Sequence, residues 1–271
     1  MKFSVLISIY KNEKGEYFKE ALDSIVNQTL KPNEIVIVKD GPIGIELDSI
    51  IEELPNVYKG KLNVVSLDKN VGLGLALNIG IEKCTYEIIA RMDSDDICVK
   101  DRFEKQINEF IIDKDLDVVG SNINEFYTSI DEVKAIKKVP EFHKDIFKYA
   151  KRRNPMNHMT VMFKKNSVVK AGNYMHMLYC EDYYLWARML MLGCKFKNIQ
   201  TPLVFARTGL DMYKRRGGKI YIKSEYNLQK SLNNTGLINM IQCYVNIIMR
   251  SFPRLIPNKL REIIYLKFLR Q

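Results

Sequence analysis

The sequence predicts an α/β fold in which a mostly parallel sheet is flanked by helices, and three observations support this prediction. Short apolar segments alternate with amphipathic segments of helical period, as in consecutive βαβ units. The apolar segments are hydrophobic throughout, as expected for strands that are covered on both faces. Polar residues follow three of these segments, at Tyr10, Asp40 and Asp93. Because parallel strands end at the same edge of a sheet, we expect that edge to carry the chemistry.

The first half of the chain contains predicted strands and helices in regular order. Each helix is recognised by apolar residues on one face, as with Phe18, Leu22 and Ile25. The predicted strands of this half are Val5–Ile9, Glu34–Val38, Leu62–Leu67 and Glu87–Met92. The predicted helices are Glu16–Thr29, Glu46–Leu54 and Arg102–Ile112, and Asn70–Glu82 is predicted to be a glycine-containing turn followed by a helix.

The second half of the chain is less regular. Its predicted strands are Asp117–Ser121, Met159–Phe163, Phe196–Ile199 and Leu203–Ala206. Its predicted helices are Asp182–Leu192, Leu237–Arg250 and Lys259–Arg270. Trp186 falls on the inward face of the first of these helices, and Pro253 and Pro257 are predicted to break the chain between the last two.

The positive charge of the chain is concentrated at one end. The formal net charge is +10, yet residues 1–206 hold 29 Lys/Arg and 29 Asp/Glu, whereas residues 207–271 hold 13 and 3. A basic end of this kind indicates an anionic partner, either nucleic acid or a membrane surface. We therefore predict two units, an α/β domain over residues 1–210 and a basic amphipathic helical tail over residues 211–271.

The predicted helix Leu237–Arg250 is apolar except for one narrow stripe. The stripe consists of Asn239, Gln242, Asn246 and Arg250. The segment is too short and too interrupted to span a bilayer, but such helices fit the plane of an anionic membrane surface. Packing of the tail on the domain as a last layer is the alternative, and the basic charge favours the membrane.

The cysteines and the first residues indicate the compartment. The five cysteines are scattered and form no CxxC pair, so neither a disulfide frame nor a zinc site is predicted. The apolar start of the chain lacks a small-residue cleavage site and is interpreted as a strand. We expect a cytoplasmic protein, peripheral on the inner face of the plasma membrane.

Three acidic residues follow the apolar segment that ends at Met92. Asp93, Asp95 and Asp96 lie within four positions. Carboxylates at such short distances repel one another, which makes it costly to keep all three ionised. A divalent cation would remove this repulsion, and oxygen ligands suit Mg²⁺ or Mn²⁺. A polar turn before the next helix is the alternative interpretation of these residues.

Several common catalytic motifs are missing from the sequence. Gly72-Leu73-Gly74 is followed by Leu77 where a dinucleotide fingerprint needs glycine, and no GKS or GKT occurs. No GxSxG is present either. A dinucleotide site, a P-loop and a serine-hydrolase elbow are therefore not predicted.

Six other motifs occur in a family-like order. They are SVLISIYKNE from Ser4, VKDG from Val38, NVGLGLALNIG from Asn70, RMDSDD from Arg91, RFEKQ from Arg102 and CEDYYLWAR from Cys180. In this order and spacing the chain resembles the inverting glycosyltransferases of family 2, which have the GT-A fold. The resemblance covers about residues 1–210, and the basic tail resembles those of bacterial O-antigen and capsule transferases.

The resemblance implies a nucleotide-sugar site. By position, Ile9 and Tyr10 would line the uracil and Asp40 would accept a hydrogen bond from the base. Asn70 and Gly72 would lie beside the nucleotide. Arg91 would lie near its diphosphate.

The resemblance also implies the metal ligands and the base. Asp93 and Asp95 would hold the ribose and a Mn²⁺ or Mg²⁺ ion, with Asp96 as a possible helper. Asp182 would be the general base, with Glu181 orienting the acceptor or the base; an ordinary helix N-cap is the alternative for Asp182. The family's usual proline after the acidic motif is replaced by Lys100, which leaves the chemistry unchanged.

Three further residues are weaker candidates for the acceptor site. His158 precedes a predicted strand and would line that site, although a structural histidine is at least as plausible. Arg215 and Arg216 would contact a lipid-linked pyrophosphate through their planar guanidinium groups, or form a solvated basic loop.

The resemblance implies transfer of a hexose, glucose or galactose, from a UDP-sugar to an undecaprenyl-diphosphate-linked saccharide, with inversion. A sugar nucleotidyltransferase is an alternative, but the residues after the first strand lack its Gly- and Lys-rich loop. A nucleic-acid-binding protein is a second alternative. The Leu/Ile/Phe faces of the tail suit lipid better, so no nucleic-acid partner is expected.

Overall fold

The computed structural model describes residues 1–208 and 219–255. Its strands are β1 Phe3–Ile9, β2 Glu34–Lys39, β3 Lys61–Ser66, β4 Ile88–Met92, β5 Ile97–Cys98, β6 Leu116–Phe126, β7 Ala135–Lys137, β8 Met162–Lys164 and β9 Lys195–Arg207. Its helices are α1 Gly15–Val26, α2 Ile45–Val57, α3 Leu73–Lys83, α4 Arg102–Ile112, α5 His143–Ala150, α6 Lys165–Lys170, α7 Glu181–Met191, α8 Lys219–Asn234 and α9 Met240–Leu255.

The strands form one sheet in the order β3-β2-β1-β4-β8-β6-β9-β5, with β7 paired to β6. Strands β1 to β4 pair in parallel, as expected for consecutive βαβ units. The second half adds antiparallel pairs through β8, β7 and β5, while β6 and β9 pair in parallel. The predicted α/β class is confirmed.

Alternating side chains of the parallel strands build a core on each face of the sheet. Along β1, Leu6 points into the layer formed with α3, α7 and α8, whereas Val5 and Ile7 point into the layer formed with α1, α2 and α4. Trp186 of α7 is fully buried in the first layer, as its position in the sequence predicts. Both faces are therefore covered, which explains why these strands are apolar throughout.

Gly80 allows α3 to approach the sheet closely. A Cβ atom at this position would lie 2.3 Å from Cδ1 of Leu6 and 2.9 Å from Cγ2 of Val38. We expect Gly80→Ala to lower the free energy of unfolding by about 1–2 kcal/mol, because overpacking outweighs the gain in helix propensity. Urea denaturation measures this change. Gly44→Ala is the control, since no atom lies within 4 Å of its added Cβ; an equal loss in both variants would contradict the packing explanation.

Two predicted segments have different bounds in the structure because of long-range pairing. The two short strands expected near residues 196–206 form one strand, β9, which pairs along β6 with a register shift between Ser121 and Ile123. The expected strand Met159–Phe163 begins instead as a 3₁₀ turn at His158–Thr160, and pairing starts at Met162.

The last described helix begins later than predicted and extends beyond the predicted end at Arg250. Asn239 accepts a hydrogen bond from the Gln242 N–H and donates its own N–H to the Gln242 side chain, a reciprocal cap that starts α9 at Met240. The helix continues through Pro253 to Leu255, so the expected break at Pro253 is wrong. A proline fixes φ near −65°, which a helix accommodates, and its missing N–H removes one backbone hydrogen bond. Pro257 and the predicted helix Lys259–Arg270 lie outside the described residues.

Helix α9 packs on the protein through Cys243 and through Asn246 and Arg250 of its polar stripe, whereas Asn239 and Gln242 are exposed. Asn246 donates to the Gln229 side chain and to the Lys151 carbonyl, each at 2.9 Å. Arg250 pairs with Glu225 at 2.6 Å. The residues that point away from the protein are large, apolar and exposed, and we call them the outer face of α9: Met240, Ile241, Tyr244, Val245, Ile248 and Met249. No helix in the described ranges is long and apolar enough to cross a membrane.

Candidate active site

The carboxyl ends of β1, β2 and β4 bring Tyr10, Asp40 and Asp93 to one edge of the sheet, because these strands are neighbours in parallel register. Tyr10 is exposed at this edge. Ile9 is fully buried in the core, and its carbonyl accepts a hydrogen bond from the Asp40 N–H at 2.8 Å. The Ile9 side chain is therefore part of the hydrophobic core beneath this edge of the sheet.

Asp40 organises the loop before α3. Its carboxylate accepts hydrogen bonds from the Val71 N–H at 2.7 Å, the Gly72 N–H at 3.1 Å and the Asn70 side chain at 2.9 Å. A carboxylate has about four acceptor positions, so these three hydrogen bonds leave one unused. Gly41 is required beside it, because its φ is +86° and a Cβ atom would lie 2.7 Å from the Asn70 nitrogen.

Three acids after β4 form a candidate cation site. Oxygens of Asp93, Asp95 and Asp96 lie within 4.8 Å of one another. Burial, followed by the charges of Asp93 and Glu13, raises the pKa of Asp95 to about 7. Burial and the other two acids also hold the pKa of Asp96 well above its ordinary value. A hard divalent cation would neutralise this concentration of negative charge, and the all-oxygen donor set fits Mg²⁺ or Mn²⁺.

Distant residues hold the acidic loop in place. Arg207, at the end of β9, donates its backbone N–H to Asp96 at 2.8 Å and its side chain to the Asp95 carbonyl at 3.1 Å. Ser94 donates to Glu13. Arg102 is fully buried and donates to the Arg91 carbonyl at 2.8 Å. The loop is thus pre-organised.

Arg91 is buried with unused donors. Only 2% of its side chain is exposed, and it forms an ion pair with Asp93. Among the described residues, neither Nε nor Nη1 of Arg91 has a hydrogen-bond partner. A buried guanidinium with free N–H groups beside a cation site is suited to bind an anion such as a diphosphate.

Asp182 lies in the first turn of α7. The N-cap of this helix is Cys180, so the alternative interpretation of Asp182 as an N-cap is wrong. The Asn154 side chain donates to Asp182 Oδ2 at 2.6 Å and fixes its orientation. Burial raises the pKa of Asp182 even though this hydrogen bond and the Arg91 charge act to lower it. Burial raises the pKa of the adjacent Glu181 as well.

The two acids of α7 line a cavity of about 290 Å³. Its walls are Leu73, Gly74, Leu77, His158, Tyr174, Leu178, Tyr179, Glu181 and Asp182. His158 Nε2 lies 2.8 Å from the Tyr174 hydroxyl. Burial and the nearby charge of Arg91 hold the pKa of His158 well below its ordinary value, so the imidazole is neutral at pH 7. The cavity therefore joins two carboxylates to neutral polar and apolar walls.

The structure brings together most residues that the sequence nominated. Leu73 and Gly74 directly follow the loop that Asp40 organises, and they line the cavity together with Asp182, so the sheet edge and the cavity adjoin. Arg215 and Arg216 lie outside the described residues. No short motif marks Asn154, Tyr174 or Arg207, because each contacts the site through a partner far away in the chain. A larger open cavity of about 660 Å³ lies behind the acidic loop, and none of the described residues nominated from the sequence lines it.

Comparison with solved structures supports the fold. The crystal structure of S. aureus TarS 1-349 in complex with UDP-GlcNAc superimposes with a TM-score of 0.67 at 19% identity, over 93% of this chain and 73% of that chain. At this identity the likeness establishes the fold alone. The predicted GT-A fold is confirmed.

Comparison with known sequences identifies the family. The Amylovoran biosynthesis glycosyltransferase AmsE of Erwinia amylovora is 41% identical over 98% of each chain. The UDP-Gal:alpha-D-GlcNAc-diphosphoundecaprenol beta-1,3-galactosyltransferase of Escherichia coli is 38% identical over 100% of this chain and 97% of its own length. The sequence profile described as Glycosyl transferase family 2 matches residues 4–170, more than half of the chain. The chain therefore belongs to glycosyltransferase family 2.

Proposed function

We propose that this glycosyltransferase moves a hexose, galactose or glucose, from a UDP-sugar to an undecaprenyl-diphosphate-linked saccharide, with inversion, in O-antigen, capsule or exopolysaccharide biosynthesis. The observation that carries the proposal is the position of Asp182. Its oriented carboxylate lines a cavity and is coupled electrostatically to Arg91 beside the acidic loop. The activity that the name of the Escherichia coli relative states supports the donor and the acceptor class.

The residues at the sheet edge would bind the donor. Tyr10 offers an exposed ring on which the uracil can stack. Asp40 retains an acceptor position for the N–H of the uracil. Arg91 would donate its free N–H groups to the diphosphate. Asp93 and Asp95 would hold a Mg²⁺ or Mn²⁺ ion, whose chemistry here is Lewis-acid neutralisation of the leaving diphosphate.

Asp182 would act as the general base. As the acceptor hydroxyl attacks the anomeric carbon, Asp182 takes its proton, and the bond to the diphosphate breaks on the opposite face. The raised pKa makes this carboxylate a stronger base than an ordinary aspartate. A single displacement inverts the anomeric centre, so an α-linked UDP-sugar gives a β-linkage.

The test is UDP release by the purified protein with Mn²⁺ or Mg²⁺ and a synthetic lipid-diphosphate GlcNAc acceptor. UDP-galactose, UDP-glucose and their N-acetyl forms are compared. We expect release with one hexose donor that depends on both metal and acceptor, and a β-anomeric proton coupling in the product. An α-linked product would overturn the inverting mechanism. UDP binding without transfer to this acceptor from any donor would overturn the acceptor assignment.

The two alternative functions are disfavoured. Membership of glycosyltransferase family 2 argues against a nucleotidyltransferase. Nucleic-acid binding had rested on the basic tail alone. The exposed apolar outer face of α9 favours lipid over nucleic acid as the partner of that tail.

We also propose that the outer face of α9 rests on an anionic bilayer, which would make the enzyme peripheral on the cytoplasmic side of the membrane. Asn246 and Arg250 contact the protein, so the apolar outer face of this helix is left toward solvent. Lys151 and Arg152 belong to the segment on which α9 packs, because Asn246 and Arg250 donate to their carbonyls, and we expect their charges to face the same membrane surface. Each such charge near an anionic leaflet contributes roughly 1 kcal/mol.

Vesicle flotation tests the membrane proposal. The full chain should float with phosphatidylglycerol-containing vesicles and less with phosphatidylcholine alone. The double change Ile241→Glu and Ile248→Glu should abolish flotation. Ile112→Glu is the matched control, since Ile112 is 80% exposed on α4. Unchanged flotation of the double variant, or a salt-sensitive shift of DNA or RNA without flotation, would contradict the proposal.

A further inference from the structure

We propose that Tyr179 is a stacking platform for a sugar ring of the acceptor saccharide. This inference rests on the proposed transferase function and extends it by assigning an acceptor subsite. Tyr179 lies on the wall of the 290 Å³ cavity that also contains Asp182 and Glu181. It stands two positions before α7 begins, and the helix brings Glu181 and Asp182 to the same cavity. A sugar stacked there would place a hydroxyl group close to Asp182.

The backbone of Tyr179 is strained. Its φ is +67°, in the left-handed region that residues other than glycine, asparagine and aspartate rarely adopt. The same loop uses Gly172 and Asn173 at its other left-handed positions, and both residue types tolerate this conformation. A tyrosine at such a position implies that its ring has a use that offsets the strain.

Helix α8 holds the ring in place. Tyr221 stacks on Tyr179 with ring centroids 5.2 Å apart and planes 8° from parallel. Ser224, one turn further along α8, donates to the Leu178 carbonyl. The stack covers one face of Tyr179, yet 46% of the residue remains exposed and borders the cavity. The ring is thus both fixed and accessible.

The chemistry of the cavity favours a neutral sugar. None of the described residues that line it is Lys or Arg, whereas Glu181 and Asp182 supply carboxylates, so a phosphate group would be repelled. The C–H bonds on one face of a pyranose ring carry partial positive charge, and the face of a tyrosine ring is negative. Sugar hydroxyl groups can bond the neutral His158, the Tyr174 hydroxyl and the two acids. A sugar ring stacked on Tyr179 would place its C–H face on the aromatic ring and its hydroxyl groups near these polar side chains.

The test compares Tyr179→Phe with Tyr179→Asn in the transferase assay. Phenylalanine keeps the ring, so the KM for the acceptor should stay within about twofold. Asparagine removes the ring but tolerates the left-handed backbone, so the KM for the acceptor should rise at least about tenfold. The donor KM and the UDP affinity should be unchanged, and the melting temperature should not fall. Tyr226→Ala is the control, because Tyr226 is equally exposed on α8 and does not line the cavity.

Two outcomes would overturn the inference. One is an unchanged acceptor KM in Tyr179→Asn, and the other is a parallel rise in the donor KM, which would assign the ring to the donor. If the unmutated protein transferred sugar from none of the donors, the proposed function would fail and the inference with it. If the unmutated protein transferred sugar and Tyr179→Asn had no effect, the inference on Tyr179 would fail while the proposed function would stand.

Discussion

Asp182→Asn should lower kcat for sugar transfer by about 10²–10⁴-fold, the usual contribution of a general base. Asparagine keeps the shape of the side chain, and the hydrogen bond to Asn154 can reform after rotation of either amide. It cannot take a proton from the acceptor. UDP binding should stay within about twofold, because Asp182 is proposed to act on the acceptor and not on the nucleotide. Single-turnover kinetics and calorimetry measure the two effects.

The pH profile adds a second readout for the same residue. A base works only when ionised, so kcat/KM should rise with pH through the pKa of Asp182. Since burial raises that pKa, the acid limb should lie above the range of an ordinary aspartate. Removing the Asn154 hydrogen bond, which lowers the pKa, should move the limb to still higher pH.

Asp145→Asn is the matched control for Asp182→Asn. Asp145 also lies in the first turn of a helix, α5, but is exposed there. Its kcat should equal that of the unmutated enzyme. Full activity in Asp182→Asn, or an equal loss in both variants, would remove Asp182 from the role of base.

Asp95→Asn should lower transfer by at least about 10²-fold and remove the stabilisation of the fold by Mn²⁺ or Mg²⁺. In the folded protein the pKa of Asp95 is about 7, because of burial and then the charges of Asp93 and Glu13. In the unfolded chain it returns to about 4. The folded state therefore binds more protons than the unfolded state between these pH values. Without a divalent cation, the contribution of Asp95 to the free energy of unfolding should therefore fall as the pH rises from about 4 to about 7. Above pH 7 this contribution should change little.

Thermal melts measure this effect directly. At pH 7.5 a divalent cation should raise the melting temperature of the unmutated protein, because it neutralises the three clustered acids. Asp95→Asn should melt at or above the unmutated protein when metal is absent, and metal should raise it less. Asp145→Asn should show the full metal response. A metal response in Asp95→Asn equal to that of the unmutated protein would remove Asp95 from the cation site.

Local sequence patterns predicted the parts of the site that local interactions build. The apolar runs of β1, β2 and β4 are directly followed by the acids, so a short stretch of sequence is enough to predict the strands, the sheet edge and the acidic loop. The side chains that orient these groups cannot be predicted from such a stretch. Asn154 reaches Asp182 across 28 positions, and Arg207 reaches Asp96 across 111. Such contacts depend on the order of strands in the sheet, which no short window contains.

The same reason explains the errors in the second half of the chain. Strand β9 is one strand because β6 pairs with both of its ends, Lys195–Ile199 and Val204–Arg207, and the residues between them form an irregularity in the same strand. The start of α9 at Met240 depends on a side-chain cap that its hydrophobic period does not reveal. The division at residue 210 stays a prediction. Leu228 and Leu232 of α8 are nevertheless fully buried in the core layer shared with α7.

The orientation of α9 has a consequence for handling the protein. Six large apolar side chains on one helix face form a continuous hydrophobic strip in water. Strips of this kind promote self-association when no lipid covers them. The purified chain should therefore form concentration-dependent oligomers that mild detergent disperses. Activity per molecule should fall as the protein is concentrated without detergent or vesicles.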